Sequence, residues 1–294
     1  VAGSRKARCL LLTHTRVTMR QTTFDITACT FYTCGVMEWS TILLAGAAVF
    51  FIGVSKAGFG GGLGMLTTPL CVVAFGMAGQ SPQFAIGFLL PLLCAGDSFS
   101  LYHYWQQWRL ANLKFLLPGI LLGVIAGIQV MDRLDARHFS LIIGVLAVSF
   151  VVFQLVKEKV FKNEKPFVPG YGLGTAAGIG AGLTSTFAHG AGPMINIFMI
   201  PQRLPKEEFV STRVLIFTWI NWIKMPFFVG WGLVTLESLK WNALYLPLVP
   251  IGVWMGVWLN QKIPEEKFRT LTYALTLLAG LHLIMSNWLL KTGG

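Results

Sequence analysis

The chain of 294 residues is 54% hydrophobic and only 12% charged, with a formal net charge of +11. Soluble domains carry about a quarter charged residues, so the composition excludes an ordinary soluble enzyme and points to an all-α integral membrane protein. The positive charge does not indicate nucleic acid, because the basic residues lie between apolar runs and near the N-terminus, with no motif that reads bases.

Residues 1–38 are polar and basic, and Cys9-Leu-Leu-Leu12 is too short for a signal-peptide core. They are expected to form a poorly ordered N-terminal tail outside the fold. From Trp39 onward, apolar segments fall near 40–56, 62–78, 83–104, 114–131 and 139–156. A basic linker at 157–169 follows, and then segments near 170–187, 190–201, 211–230, 241–259 and 268–290. Runs near ~20 apolar residues read as membrane helices, so about ten membrane segments are expected. Two of them, 62–78 and 190–201, are short and interrupted by Gly and Pro, which suits half-helices or re-entrant segments. The aromatic residues and the 32 glycines fit the same picture, since aromatics collect at membrane interfaces and small residues at helix contacts.

The chain repeats itself. Lys56-Ala-Gly58-Phe-Gly60-Gly61, followed by Pro69, lies over Ala188-His189-Gly190-Ala-Gly192-Pro193, followed by Pro201. Gly123-Val-Ile-Ala-Gly127 lies over Gly252-Val-Trp-Met-Gly256, and Phe139 over Phe268. The shared order and nearly constant offset point to duplication, with repeats at 39–156 and 170–294. Five segments per repeat is odd, so the two repeats insert with opposite orientation. Counting connectors alternately puts Lys56, Arg109, Lys114, the lysines of 157–165, Arg203, Lys206, Arg213, Lys262, Lys267 and Arg269 on one side. Arg133, Arg137, Lys240 and Lys291 fall on the other. The positive-inside rule assigns the richer side, with the central loop, to the cytoplasm and the C-terminus to the outside. The basic N-terminal tail runs against that orientation.

Ionisable residues inside apolar spans are functional by default. Asp97 and Lys224 sit deepest, at corresponding places in the two repeats, with His189 and Lys56 at the helix breaks. Lys224 is expected to supply charge to an anion site, with Asp97 or His189 as counter-ion or proton carrier. A structural ion pair between packed helices is the competing reading for Asp97 and Lys224. Asn221 lies one helical turn before Lys224 on the same face. Where a helix starts inside the membrane its first N–H groups are unpaired and its end is positive, and glycine lets an anion come close. Gly58, Gly60 and Gly61 at one break, and Gly190 and Gly192 at the other, suit that role. Tight helix packing is the alternative reading for these glycines. Among hydroxyls, Thr67, Thr68, Ser185 and Thr186 stand near the breaks, though such groups often bond their own backbone. Asp97 is the sole acid in any expected span, and no P-loop, nucleophile elbow, His cluster or metal-ligand spacing occurs. No enzyme activity, cofactor or metal is therefore expected, and of the five cysteines Cys71 and Cys94, in apolar runs, read as small buried hydrophobes.

These motifs resemble those of the TauE/SafE sulfite-exporter family. The resemblance rests on Lys56-Ala-Gly-Phe-Gly-Gly-Gly-Leu-Gly64 with Pro69, Ala188-His-Gly-Ala-Gly-Pro193 with Pro201, and Asn221-x-x-Lys224-x-Pro226 with Gly230. It covers about Trp39 to Asn287. It implies a secondary transporter in the bacterial inner membrane, exporting small sulfur-containing anions such as sulfite or an organosulfonate like sulfoacetate. The residues carried over for substrate binding are Gly58, Gly60, Gly61, His189, Gly190, Gly192, Asn221 and Lys224. Alternating access, with or without proton coupling, is the expected mechanism. A passive anion channel of similar architecture stays open, a membrane-embedded enzyme is disfavoured, and a homodimer is left open.

Overall fold

The computed structural model describes residues 39–56, 64–105, 107–161, 169–262 and 265–292. The tail at 1–38 and the glycine run holding Gly58, Gly60 and Gly61 lie outside the described residues, as does most of the basic linker. Everything described is helix or connector, with no strand among the described residues.

The first half contributes α1 (Trp39–Lys56), α2 (Gly64–Met77), α3 (Pro82–His103), α4 (Leu110–Met131) and α5 (Ala136–Phe161). The second contributes α6 (Tyr171–Ala188), α7 (Gly192–Met199), α8 (Lys206–Gly230), α9 (Leu236–Tyr245), α10 (Leu248–Lys262) and α11 (Glu265–Thr292). The helices follow the expected segments closely, with one difference. The segment expected at 241–259 falls across two helices, α9 and α10, which meet at Leu246–Pro247. Pro247 has no N–H to carry the helical ladder on, and Thr235 caps the new α9 by a reciprocal pair of bonds with Ser238. Among the described residues, four helical stretches are long and apolar enough to cross a membrane: Trp39–Lys56, Pro82–Tyr102, Leu110–Met131 and Ala136–Val156. Their outward faces carry large exposed hydrophobics such as Leu43, Leu122, Val152 and Leu155, as suits helices surrounded by lipid.

Of the two breaks expected from the sequence, the first, within 57–63, lies outside the described residues. The second is present: α6 stops at Ala188 and α7 starts at Gly192. At the second break the end of α6 is sealed by two backbone bonds, His189 N–H to the Ser185 carbonyl (3.0 Å) and Gly190 N–H to the Thr184 carbonyl (3.1 Å). The His189 bond is the 5→1 bond of the αL cap, whose left-handed position is ordinarily glycine. Here His189 occupies it, with φ 50°.

Glycines set the closest helix pairs. α1 packs on α10 through Gly53 and Gly252, and α4 packs on α6 through Gly119, Gly123, Gly178 and Gly182. A Cβ at Gly53 would run into the Val249 carbonyl oxygen, and one at Gly252 into that of Phe50. Without a hydrophobic drive between lipid-soaked helices, such close approach supplies the packing. α3 packs against α8, and α5 against α11. The core between them is apolar and includes Phe75, Phe88, Phe139, Phe198 and Phe228. Cys71 and Cys94 are buried and free within it, as expected.

Candidate functional site

The α3–α8 contact brings together the ionisable residues that stood out in the sequence. Asp97, wholly buried on α3, forms an ion pair with Lys56 at the end of α1. Its other oxygen accepts from Asn221 Nδ2 at 2.6 Å. Both carboxylate oxygens are thereby committed, and the partner of Asp97 is Lys56 rather than Lys224. Lys224, also wholly buried, turns to the end of α6 instead. Its Nζ lies 3.1 Å from the Ser185 carbonyl, 2.9 Å from Ser185 Oγ and 3.0 Å from His189 Nδ1.

Partner chemistry fixes the imidazole. His189 Nε2 lies 3.1 Å from the Ile86 carbonyl oxygen, which only accepts, so Nε2 carries the hydrogen. Nδ1 is then the lone-pair nitrogen and accepts from Lys224. The ring is neutral in this arrangement and ties α8 to α3 across the break. A non-glycine residue in the left-handed region costs of order 1–3 kcal/mol. The two ring bonds give a reason for keeping a side chain there.

In front of this network lies a cavity of about 70 Å³. Lys56, His189, Gly192, Arg213, Tyr104 and Phe217 are among the residues lining it. The Lys56 ammonium sits 5.7 Å from the centre of the Phe217 ring, and the Arg213 guanidinium 5.9 Å from that of Phe209. Its wall thus brings two cations together with the start of α7.

The residues expected at the site divide into three groups. His189 and Gly192 line the cavity. Asn221 and Lys224 do not; they stand behind it, holding Asp97 and His189. Gly190 packs against the Met65 side chain, where a Cβ would collide with its sulfur. Of the hydroxyls, Thr67 and Thr186 bond their own helices, while Thr68 Oγ1 crosses to the Ala188 carbonyl at 2.8 Å.

Sequence reasoning missed Arg213, which it counted only as a basic residue near a membrane interface. The available signal was helical spacing: Arg213, Phe217 and Lys224 fall at i, i+4 and i+11, one face of α8. It also noted Lys56 only as lying at a break.

A family model described as "Sulfite exporter TauE/SafE" matches residues 45–283. The chain belongs to the TauE/SafE family. This is a family of membrane transporters of sulfur anions, not of enzymes. One relative, the "Probable inner membrane transporter protein TsaS" of Comamonas testosteroni, is 26% identical over 188 residues, which covers 62% of this chain and 75% of that protein. No solved structure matches. Of the motifs that carried the resemblance, Ala188-His-Gly-Ala-Gly-Pro193 falls at the break between α6 and α7, and Asn221 and Lys224 belong to the network behind the cavity.

Proposed function

We propose that this TauE/SafE protein binds a small sulfur-containing anion in the cavity between Lys56, His189, Gly192 and Arg213, and carries it by alternating access. The carrying observation is the pair of basic side chains, Lys56 and Arg213, on the wall of one cavity. Asp97 and Asn221 hold the Lys56 ammonium at that wall, and Lys224 with Ser185 holds His189. The substrate class is sulfite or a small organosulfonate such as sulfoacetate, and export is the direction that the family's description favours. The name of the Comamonas relative supports the bacterial inner membrane as the location.

The reading includes about ten membrane segments in two inverted repeats of five, 39–156 and 170–294, with α9 and α10 together matching α4. Several observations support the duplication. Gly53 and Gly182 are 129 residues apart, as are Gly123 and Gly252. The close pairs are Gly53 with Gly252 and Gly182 with Gly123, so each repeat's first helix packs on the other's fourth segment. α3 on α8 and α5 on α11 are the self-matching pairs. Polar pairing follows suit, with Lys56 at the end of α1 bonded into α3 and His189 at the end of α6 bonded into α8. Asn112 and Asn242, 130 apart, are both buried with no side-chain partner among the described residues. Tyr104 and Arg213 stand where α3 ends and α8 begins, the basic side of the chain. We read this state as open toward the cytoplasm, with the central loop cytoplasmic and the C-terminus outside, on the strength of the basic residues on that side.

Thermal unfolding of the detergent-purified protein, read by tryptophan fluorescence, tests the site. A ligand at a hundred times its Kd adds about 2.7 kcal/mol to a folded state it alone binds. Sulfite, thiosulfate or sulfoacetate should raise the midpoint in a concentration-dependent way, chloride should not, and Arg213→Gln should need about 10- to 100-fold more anion for the same rise. An equal rise in the variant would remove Arg213 from the site.

A further inference from the structure

Lys224 is the one ionisable group in the network whose charge has no counter-charge. Asp97 is committed to Lys56 and Asn221, and no carboxylate lies within ion-pair distance of Lys224 among the described residues. It is wholly buried and does not line the cavity; His189 lies between. An ammonium so placed is costly in the empty protein, whereas an anion in the cavity just beyond His189 would compensate it.

The partners of Lys224 are built to tolerate either charge. As an ammonium, Nζ has three hydrogens for three acceptors: the Ser185 carbonyl, Ser185 Oγ and His189 Nδ1. As a neutral amine it keeps two hydrogens for the carbonyl and Nδ1, and its lone pair accepts from the Ser185 hydroxyl. A hydroxyl both donates and accepts, so the proton can come and go with every bond retained. His189 stays neutral in both states, its Nε2 hydrogen held on Ile86. The other charged or titratable groups near the pair are Lys56 from α1, Cys94 and Asp97 from α3, and Arg213 from α8 at the cavity.

We propose that Lys224 is a one-proton coupling site, so that each anion entering the cavity takes up one proton from the water on the same side. The step adds a proton to the Nζ lone pair, with no other bond made or broken, and a monoanion then crosses without net charge. The inference rests on the anion-site reading above, since His189 couples Lys224 to that cavity.

The test is calorimetric titration of the whole detergent-solubilised protein with thiosulfate and with methanesulfonate, whose charges are constant across the neutral range. Each titration is run in two buffers of different ionisation enthalpy. Wild type should take up about one proton per anion on the alkaline side, with affinity rising about tenfold for each unit fall in pH. Lys224→Met and Lys224→Arg should bind with little pH dependence and no proton uptake, because one cannot gain the proton and the other never loses it. Anion binding by wild type without proton uptake at any pH would overturn the coupling site and leave the anion site standing. Uptake undiminished in either variant would also overturn it. Failure of both anions to bind folded wild type would bring down the site and the coupling together. If neither variant folds, the proton count and pH slope of wild type still decide.

Discussion

Removing Lys56 should harm the protein more than removing its partner, and removing both should harm it less than either single change. Asp97 is wholly buried, while the Lys56 side chain keeps 14% of its surface exposed. Lys56→Met therefore leaves a carboxylate with only Asn221 to bond it, the situation in which breaking a buried pair costs about 3–5 kcal/mol. At roughly 2–4 °C per kcal/mol for a chain of this size, the unfolding midpoint should fall by roughly 6–20 °C. Asp97→Asn leaves an ammonium that can reach the cavity, and the new amide still bonds Asn221, so its cost should fall below that range. The pair Lys56→Met with Asp97→Asn removes both charges and should come within about 1–2 kcal/mol of wild type. Tryptophan fluorescence during heating in detergent gives the three shifts under one set of conditions. A double-variant shift equal to the sum of the two single shifts would refute the ion-pair reasoning, since uncoupled sites add.

Three further outcomes follow from particular contacts. Gly119→Ala should cost about 1–3 kcal/mol, because its Cβ meets the Thr175 carbonyl, whereas Gly172→Ala on α6 has open space and should gain about 0.5–1 kcal/mol; paired melting curves decide. Asn221→Ala should cost about 1.5–3 kcal/mol through the lost 2.6 Å bond to a carboxylate, and an unchanged midpoint would remove Asn221 from that role. At the start of α5, the backbone N–H and then the ring of His138 hold the Asp135 carboxyl below its usual range. A lowered folded-state pKa gives stability that is present above the unfolded value, about 3.9, and is lost as pH falls through the folded one. Asp135→Ala should therefore lower the midpoint at neutral pH, and the difference should vanish in strong acid.

Much of the fold was legible because lipid makes helix boundaries follow hydrophobicity. The break after Ala188 was marked by glycine and proline placement, and the expected repeat rested on glycine spacing in which Gly123 and Gly252 now stand at close helix contacts. The division of α9 from α10 was present as Pro247 but hidden inside a continuous apolar run. At the site, membrane depth singled out Asp97 and Lys224, the helix break His189, and helical spacing Asn221, and these four side chains are hydrogen-bonded in one neighbourhood. Depth does not show pairing, so the sequence set Asp97 against Lys224, whereas helix geometry gives Asp97 to Lys56 and Lys224 to His189. Arg213 escaped because proximity to a basic interface hides a side chain that turns inward along its own helix face.

Uptake of labelled sulfite into liposomes holding the purified protein, under an imposed sulfite gradient, tests whether the cavity is a transport site. Saturable flux that excess thiosulfate suppresses and chloride does not is expected. In Arg213→Gln, affinity should weaken about 10- to 100-fold, the equivalent of one charge-assisted hydrogen bond of about 1.5–3 kcal/mol. Flux no greater than through protein-free liposomes, or flux equal in wild type and Arg213→Gln, would contradict the account.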